Sequence, residues 1–349
     1  MEKIIIKTDN GQEVEASSPV IISASRSTDI PAFYAKWFFN RLAKGYCTWY
    51  NPFNINQKMY ISFARCRVIV FWTKNPAPII PYLPELDKRG IHYYFQVTLN
   101  DYVKEKFEPN VPSVEERVET FKTLSNLIGK EKVIWRFDPF IITPDIGPRE
   151  LLTRIWNVGN KLKGYTDKLV FSFVDVKAYR KVQNNLVKET MLFTKEDVEN
   201  AEANYAQRIE IVEGLKKIRE AWHKDGWDVE MATCAEDIDL EAYGIEHNRC
   251  IDGELMKRIF ADDKELVYYL HTLKWPEKDM FGEIPPIPKK PKNVKDTGQR
   301  KICGCMVSKD IGMYNTCHHL CVYCYANTSK EAVLRNKDKH NDESESIIG

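Results

Sequence analysis

The stretch RVIVFWTK at residues 67–74 sets five consecutive apolar side chains before a polar end. A continuous apolar run of this length is typical of a strand that is buried on both faces, since a half-exposed strand would alternate apolar and polar residues. The strand is predicted at residues 67–72, and five other stretches share its character. These are residues 20–24, 92–98, 132–136, 168–174 and 228–232.

The segments between these strands have the periodicity of helices. Helices are predicted at residues 31–44, 113–129 and 195–224, where apolar residues recur every three or four positions. Alternating strands and helices indicate parallel βα units. We therefore predict an α/β fold with a parallel (β/α) barrel, TIM-like or partial, in residues 1–280. A doubly wound open sheet is the alternative, but no Gly-rich phosphate loop follows the first strand.

Composition and charge narrow the class of protein. The 349 residues carry a net charge of +1, and 43% of them are apolar. A large core can therefore be buried, while the near-neutral charge gives no argument for a nucleic-acid or membrane partner. No apolar run reaches the roughly 20 residues that a membrane-spanning helix needs. These features predict a soluble, cytoplasmic protein with no membrane partner.

The composition changes beyond residue 280. Residues 281–300 combine four prolines with four lysines, which predicts an extended linker. Residues 301–339 form a cysteine-rich segment that ends in a predicted helix at 327–339. Residues 340–349 are polar and are predicted to be a disordered tail.

Five of the nine cysteines lie within residues 303–324. In a cytoplasmic chain, such close spacing favours metal binding or redox chemistry over structural disulfides. Cys317, Cys321 and Cys324 have the spacing C-x3-C-x2-C, which sets three thiolates on one tight loop. Three thiolates can hold three irons of a [4Fe–4S] cluster and leave the fourth iron open for another ligand.

From spacing alone, a zinc ion remains an alternative to the cluster. A closed structural zinc site needs four ligands, commonly as two pairs of cysteines. The segment offers further ligands, because His318, His319, Cys303 or Cys305 could complete a tetrahedral set with the motif cysteines. The aromatic residues that flank the third cysteine favour the cluster.

These aromatic residues carry a resemblance to a known superfamily. Tyr323 directly precedes Cys324, and the run Cys317-x3-Cys321-x-Tyr323-Cys324 resembles the motif of radical S-adenosylmethionine enzymes, especially their spore photoproduct lyase-like branch. Over residues 18–330 the chain resembles an uncharacterised bacterial family, domain of unknown function 1848. That second resemblance rests on the stretches ISASRSTDIPAFY, FWTKNP, WRFDPF and MATCAEDI together with the cysteine motif.

The motif lies at the opposite end of the chain from its place in that superfamily, where it follows the first barrel strand. In a barrel the first and last strands are neighbours, so a strand–loop–helix unit can move from one end of the chain to the other without moving the site. We expect residues 302–307 or 308–313 to form a strand beside residues 20–24. The cysteine-bearing strand–loop–helix unit at the C-terminus would then complete a circularly permuted barrel.

The resemblance implies a [4Fe–4S] cluster on Cys317, Cys321 and Cys324 that binds S-adenosylmethionine at its open iron. One electron, from a donor such as flavodoxin or ferredoxin, cleaves the sulfonium to a 5′-deoxyadenosyl radical that abstracts hydrogen from a substrate. By the same resemblance, Tyr323 is expected beside the cluster or the adenine. The substrate, whether nucleic acid, peptide or small molecule, does not follow from the sequence.

A second metal site is a further prediction. Cys303 and Cys305 form a close pair, and Cys234 and Cys250 end or follow a predicted strand. Four thiolates suffice for a second [4Fe–4S] cluster or a zinc ion. The alternative for Cys234 and Cys250 is the role of small, buried hydrophobic residues.

Polar residues follow each predicted strand, where a barrel would turn them toward the site. We predict that Arg26, Lys74, Asn75, Arg136 and Asp175 contact the cofactor or the substrate, because cations bind carboxylates and aspartate accepts hydrogen bonds from ribose hydroxyls. The alternative for Asn75, which precedes a proline, is a turn that starts the next helix.

The sequence therefore favours a radical S-adenosylmethionine enzyme on a permuted barrel. The competing hypothesis is a zinc- or iron–sulfur-containing binding protein without radical chemistry, with nucleic acid as one conceivable ligand.

Overall fold

The computed structural model describes residues 1–52, 54–234, 236, 238–288, 294–299 and 302–349. Within these residues the strands form two sheets. The strands are β1 (Glu2–Lys7), β2 (Glu13–Ser18), β3 (Ile21–Ala24), β4 (Tyr46–Asn51), β5 (Asn54–Ser62), β6 (Val68–Thr73), β7 (His92–Thr98), β8 (Val133–Phe140), β9 (Lys168–Phe173), β10 (Glu230–Thr233), β11 (Glu246–His247) and β12 (Lys309–Asp310).

Helices fill most of the connections between the strands of the larger sheet. None of the helices in the described part of the chain is both long and apolar enough to cross a membrane. The α-helices are α1 (Ile30–Phe33), α2 (Ala35–Lys44), α3 (Leu83–Lys88), α4 (Val114–Ile128), α5 (Pro148–Leu162), α6 (Arg180–Glu189), α7 (Tyr205–Lys224), α8 (Gly253–Ile259), α9 (Lys264–Thr272) and α10 (Lys330–Lys339).

The larger sheet has eight strands in the order β11-β10-β9-β8-β7-β6-β3-β12, and its neighbours pair in parallel. The six strands that the apolar runs predict are β3 and β6 to β10, and all six are confirmed. The predicted bounds of β7 are correct, and the others shift by a few residues. Five of the six residues of β6 are buried, because both faces of the sheet are covered.

The last strand of this sheet comes from the cysteine-rich segment. β12 pairs in parallel with β3, so that Lys309 lies opposite Ile22 and Asp310 lies opposite Ser23. The prediction that the C-terminal segment joins the sheet beside residues 20–24 is therefore confirmed. The far end of the chain thus completes one edge of the sheet.

The two edge strands of the larger sheet, β11 and β12, do not pair within the described residues. Their flanking segments nevertheless meet, since Met306 N donates to Ile251 O at 3.0 Å. We call the junction of residues 248–251 with residues 303–306 the seam. The fold is thus an α/β fold with an eight-stranded parallel sheet whose hydrogen-bonded ladder is open at the seam.

The second sheet is absent from the sequence-based prediction. β1, β2, β5 and β4 form a mixed sheet in that order, with a parallel central pair and antiparallel outer pairs. The apolar runs that reveal doubly buried strands do not occur here. Every residue of β1 is at least partly exposed, as in a sheet with one face toward solvent.

Two predicted helices are divided in the structure. The helix predicted at residues 195–224 is instead a short 3-10 helix at Val198–Ala201 followed by α7. The predicted helix is interrupted at Asn204, because the side chain of this residue caps α7 and its backbone is extended. The helix predicted at residues 31–44 is divided at Tyr34 into α1 and α2.

The described part of the predicted linker has little regular structure. Residues 281–288 contain neither helix nor strand, and residues 294–299 contain one bridge, between Lys295 and Met306. Residues 289–293 and 300 of the predicted linker lie outside the described residues.

Residues 340–349, predicted to be a disordered tail, are packed against the protein. Ile347 is only 1% exposed, and the Ser344 carbonyl accepts a hydrogen bond from Trp37 Nε1 at 2.9 Å. The prediction is wrong because it rests on polar composition alone. The polar groups of the tail bond to α2 and β4, and its one buried isoleucine joins the main core.

Replacement of the buried isoleucine of the tail tests this packing. Ile347→Ala is expected to lower the free energy of unfolding by about 2–4 kcal/mol, because it leaves a cavity in the core. Ile5→Ala is the control, since Ile5 is 66% exposed, and it should cost about 0.5 kcal/mol or less. Chemical denaturation measures both, and equal effects would contradict the packed tail.

Candidate active site

The three cysteines of the C-x3-C-x2-C motif lie on an irregular loop between β12 and α10. We call residues 314–328 the cysteine loop. Val322 N donates to Phe107 O at 3.0 Å, and Asn315 N donates to Ala326 O at 3.1 Å. Phe107 belongs to the connection that follows β7, so the loop is attached beyond the carboxyl end of a parallel strand. Sites of α/β proteins form at this edge of the sheet.

The three thiols of the loop are free and lie near one another. Burial raises the pKa of Cys321 to about 12, and it also raises the pKa of Cys317 and Cys324. The charges of Cys324 and Cys321 raise the pKa of Cys317 further. These thiols therefore stay protonated without a positive partner, and a bound metal would ionise them.

Backbone N–H groups oppose the effect of burial at two of these thiols. The amide of His319 lowers the pKa of Cys317, and the amides of Ala326 and Asn327 lower the pKa of Cys324. Amide groups directed at cysteine sulfur are one means by which proteins tune iron–sulfur clusters. The loop thus has donors in place for thiolates.

A buried network of charged groups joins the cysteine loop to neighbouring strands. Lys74 Nζ donates to Glu108 Oε1 at 2.8 Å and to the Tyr323 hydroxyl at 2.9 Å. Asn100 Nδ2 donates to the same Glu108 oxygen at 2.9 Å, and Arg117 Nη1 lies 3.4 Å from the other oxygen. The Tyr323 hydroxyl itself donates to Glu108. Two predicted site residues, Lys74 and Tyr323, are thereby brought together.

Glu108 is the centre of this network, and sequence reasoning missed it. Burial opposes its ionisation, but Lys74 and Arg117 together lower its pKa to about 2. Sequence reasoning considered the residues that directly follow each strand, whereas Glu108 lies ten residues beyond the end of β7.

Asp29 makes a second link between the cysteine loop and the sheet. Its Oδ1 accepts from Ala32 N at 2.9 Å and so caps α1. Its Oδ2 accepts from Lys74 N at 2.7 Å and lies 2.8 Å from His319 Nε2. The Asp29 carboxylate therefore links the start of α1 and the residue that follows β6 to His319 of the cysteine loop.

The carboxylate of Asp310, on β12, organises the segment after β3. Its Oδ2 accepts from Ser23 Oγ at 2.6 Å and from Arg26 N at 2.8 Å, while its Oδ1 accepts from Ser25 Oγ and Gly312 N. A methyl group at Gly312 would lie 1.8 Å from Ser25 Oγ, so the approach requires glycine. Sequence reasoning missed Asp310, because it considered polar residues after strands rather than within them.

The four cysteines predicted for a second site come together at the seam. Cys234 Sγ lies 3.3 Å from Cys250 Sγ, and the Cys305 thiol hydrogen-bonds those of Cys250 and Cys303. We call this series, in the order Cys234, Cys250, Cys305, Cys303, the cysteine row.

The pKa values of the cysteine row shift in alternate directions. Hydrogen bonds with Cys234 and Cys305 lower the pKa of Cys250 well below its usual value. A hydrogen bond with Cys305 lowers the pKa of Cys303 to about 6. The same hydrogen bonds, together with burial, raise the pKa of Cys234 and of Cys305. Thiolate character therefore concentrates on Cys250 and Cys303, and thiolates are the form that binds metals.

Two predicted cofactor residues, Arg26 and Arg136, face the cysteine row. Arg136 Nη1 lies 3.2 Å from Cys250 Sγ, and its Nη2 donates to Asp138 Oδ2 at 2.5 Å. Cys305 and Cys250 act electrostatically on Arg26. Its Nη2 is buried and has no hydrogen-bond partner within the described residues.

The other two predicted contacts, Asn75 and Asp175, have different surroundings. Asn75 Oδ1 accepts from Ala77 N at 3.2 Å, so its side chain forms the turn that was the alternative. Asp175 follows β9, and its charge acts on Glu236.

Glu236 lies shortly after β10, at the same edge of the sheet. Its Oε1 accepts from Phe173 N at 2.8 Å, and its Oε2 lies 3.4 Å from Arg208 Nη1. Burial, with the charges of Asp138 and Asp175, nevertheless raises its pKa to about 7. A carboxyl group that titrates near neutrality can donate or accept a proton during catalysis.

Neither cysteine group is arranged as a finished metal site. Among the described residues, no three His, Cys, Asp or Glu side chains converge on the position of a metal ion. Metal binding at either group therefore involves rotation of cysteine side chains. A surface cavity of about 520 Å³ lies beside Lys168, Arg219 and His223, and its lining includes neither cysteine group.

Neutralising Glu108 tests the buried network. Glu108→Gln should lower the free energy of unfolding at pH 7 by about 3 kcal/mol, because it leaves two buried cations without their anion. The wild-type carboxylate stabilises the fold above its unfolded pKa of 4.5, and this contribution is lost as the pH falls toward about 2. The difference between the two proteins should therefore shrink over that range. Glu119→Gln, at an exposed ion pair, is the control and should cost little at any pH.

Glu236 should give the opposite pH dependence. Its folded pKa of about 7 lies above its unfolded value of 4.5, so its contribution to stability is complete below 4.5 and is lost as the pH rises through 7. Glu236→Gln mimics the protonated form, and it should therefore become more stable than wild type as the pH rises through this window. Denaturation at several pH values measures the crossover, with the exposed Glu13→Gln as control. A constant difference at all pH values would show that Glu236 does not titrate there.

Comparisons with known proteins add a family but no activity. A search of curated protein sequences finds no match. A crystal structure described as that of a "putative alpha-L-fucosidase" from Bacteroides thetaiotaomicron VPI-5482 aligns with 75% of this chain and 96% of its own chain, at 11% identity and a TM-score of 0.27. That likeness is too weak to carry an argument. Residues 21–326, in contrast, match a family described as "Domain of unknown function (DUF1848)". The match covers most of the chain and confirms the resemblance of the sequence motifs, so the chain belongs to the DUF1848 family.

Proposed function

We propose that this protein is a radical S-adenosylmethionine enzyme in which Cys317, Cys321 and Cys324 hold a [4Fe–4S] cluster. One observation carries the proposal. The three-cysteine loop follows a strand that pairs beside β3, so the loop lies at the carboxyl edge of the parallel sheet. Enzymes with parallel βα units gather their reactive groups at this edge. The C-x3-C-x2-C spacing also leaves one iron without a protein ligand.

The residues present fit such a cluster. The thiols are free, and the backbone amides of His319, Ala326 and Asn327 already favour their ionised forms. Lys74 also acts on Cys321, and it lowers the pKa of that thiol against the effect of burial. These donors and this cation would offset the negative charge of a thiolate-ligated cluster.

We also propose that the parallel sheet acts as a permuted, partial barrel. β12 would occupy the place of the first strand and β3 the place of the second, as the adjacency of these strands supports. The seam between β11 and β12 would then be the gap of the barrel. Closure is not required, because the cysteine loop needs only the carboxyl ends of neighbouring strands.

When bound, a cluster with S-adenosylmethionine would supply reductive cleavage to methionine and a 5′-deoxyadenosyl radical, with one electron from a donor such as flavodoxin or ferredoxin. In this chain, Glu108 and Asn100 hold the Tyr323 hydroxyl and so fix its ring beside the motif. Lys74 uses two of its three N–H groups in the bonds to Glu108 and Tyr323. The third is the donor that we assign to the cofactor carboxylate.

The carboxyl groups at the ends of β8, β9 and β10 are assigned to the substrate. The charges of Asp138 and Asp175 act on Glu236, whose pKa is raised to about 7, mainly by burial. A group of this kind can hold or release a proton near the substrate while Asp138 stays paired with Arg136. Asn75, whose side chain forms a turn, is left out of this assignment.

Reductive cleavage of S-adenosylmethionine tests the proposal. The protein, purified anaerobically and reconstituted with iron and sulfide, should be brown and should form 5′-deoxyadenosine when it is reduced with dithionite. The combined Cys317→Ala, Cys321→Ala and Cys324→Ala variant should have at least about 100-fold less of this activity, since without these three ligands the protein cannot hold the cluster. Cys47→Ala is the matched control, because Cys47 is a buried cysteine of β4 and is not part of the cysteine loop.

Two results would contradict the proposal. Cleavage that survives in the triple variant would show that the motif cysteines are not the ligands. A colourless wild-type protein with zinc on the motif would favour the binding protein without radical chemistry.

A further inference from the structure

The cysteine row draws its sulfurs from three segments that are distant in sequence. Cys234 directly follows β10, Cys250 comes three residues after β11, and Cys303 and Cys305 precede β12. The segments are in close contact, because Ile251 N donates to Cys305 Sγ at 3.4 Å. Only Cys303 and Cys305 are close to each other in the sequence. The fold brings them together with Cys234 and Cys250.

The spacing of the sulfurs distinguishes between the metals that four cysteines can bind. Zinc binds each sulfur at about 2.3 Å, so two sulfurs of a tetrahedral site lie about 3.8 Å apart. In a [4Fe–4S] cluster each cysteine binds a different iron, which sets the sulfurs farther apart. The Sγ atoms of Cys234 and Cys250 are 3.3 Å apart. This distance is about 0.5 Å shorter than the edge of a single-ion tetrahedron, and it differs more from the wider spacing of cluster ligands.

Two arginines, Arg26 and Arg136, lie beside the cysteine row. Arg136 Nη1 lies 3.2 Å from Cys250 Sγ, and Asp138 is its carboxylate partner. Arg26 lies near Cys305 and Cys250, and its buried Nη2 lacks a hydrogen-bond partner within the described residues. Four thiolates and one divalent ion sum to two negative charges. Both guanidinium groups could donate hydrogen bonds to the sulfurs of a site with this charge, and Arg26 Nη2 would gain the partner that it lacks.

We propose that Cys234, Cys250, Cys303 and Cys305 bind one divalent ion of the zinc class, separately from the cysteine loop. The site is structural, because four thiolates leave no open coordination position. It joins the segments after β10 and β11 to the segment before β12, and it thereby bridges the seam. Metal binding releases the thiol protons of the row. It also requires rotation of the four cysteine side chains, which pack together in one hydrophobic cluster.

Metal analysis of a protein without the motif cysteines tests the proposal. The C317A/C321A/C324A variant is expressed in medium with zinc and iron and is purified anaerobically. We expect about one equivalent of zinc per chain. Adding Cys250→Ala and Cys305→Ala should reduce zinc to less than about a tenth of an equivalent. Adding Cys47→Ala and Cys66→Ala instead, which removes two other buried cysteines, should leave the zinc in place.

A cobalt titration covers the case in which the five-cysteine variant does not fold. Co²⁺ added to the zinc-free C317A/C321A/C324A variant should give the sulfur-to-metal charge-transfer bands and the tetrahedral d–d bands of a tetrathiolate site. The stoichiometry should be one ion per chain, and zinc should displace the cobalt. Neither readout depends on 5′-deoxyadenosine formation, so this proposal and the proposed function fail separately.

Several outcomes would overturn the inference. They are zinc-free protein with no cobalt binding, cobalt bound with fewer than four sulfurs, and iron with acid-labile sulfide in place of zinc. Zinc that survives Cys250→Ala and Cys305→Ala would also overturn it. So would a disulfide between Cys234 and Cys250 in the anaerobically purified protein, since 3.3 Å also lies within reach of that bond after a small movement.

Discussion

The arrangement of the site depends on one carboxylate, that of Asp310, which binds the last strand of the sheet to the first part of the chain. It accepts hydrogen bonds from Ser23, Ser25 and the backbone of Arg26. Ionised acceptors make stronger hydrogen bonds than neutral ones, and these donors all lie on one short segment. The cysteine loop begins four residues after Asp310. The pairing of β12 with β3 therefore also sets the position of the motif cysteines.

Arg26 connects the two cysteine groups physically. Its backbone carbonyl accepts a hydrogen bond from the Tyr325 hydroxyl, on the cysteine loop, at 2.9 Å. Its guanidinium lies near Cys305 and Cys250 of the cysteine row. The loop and the row therefore share a residue, although their electrostatic surroundings differ. The loop has Lys74 in balance with Glu108, whereas the row faces two arginines of which one pairs with Asp138.

Sequence reasoning predicted the parts of the fold that depend on burial at both faces of a strand. It gave the bounds of β7, because the apolar run is visible in the sequence. The pairing of the C-terminal segment with β3 followed from the resemblance of the cysteine motif to one that follows the first strand of a barrel. Sequence reasoning missed the smaller sheet and the packed Ile347, whose burial depends on neighbours from other parts of the chain. It also missed Glu108, since the groups that hold this carboxylate, which include Lys74, Arg117 and Tyr323, come from three separate connections. Arg136 was expected at the end of a strand, but β8 continues to Phe140, so this residue lies within the strand. Its direction toward Cys250 is a tertiary property that the sequence does not show.

The two-residue strand β12 has a consequence for the order of assembly on the ribosome. Ser23 and Asp310 are 287 positions apart, so the outer edge of β3 remains unpaired until residue 310 has been synthesised. An unpaired edge can take up a wrong strand, and contacts between distant residues form slowly. A nascent chain can therefore hold most of its parallel sheet while both cysteine groups are still incomplete. Neither cysteine group can bind a metal with its full set of ligands before residues 303–324 have been synthesised and have joined the sheet beside β3.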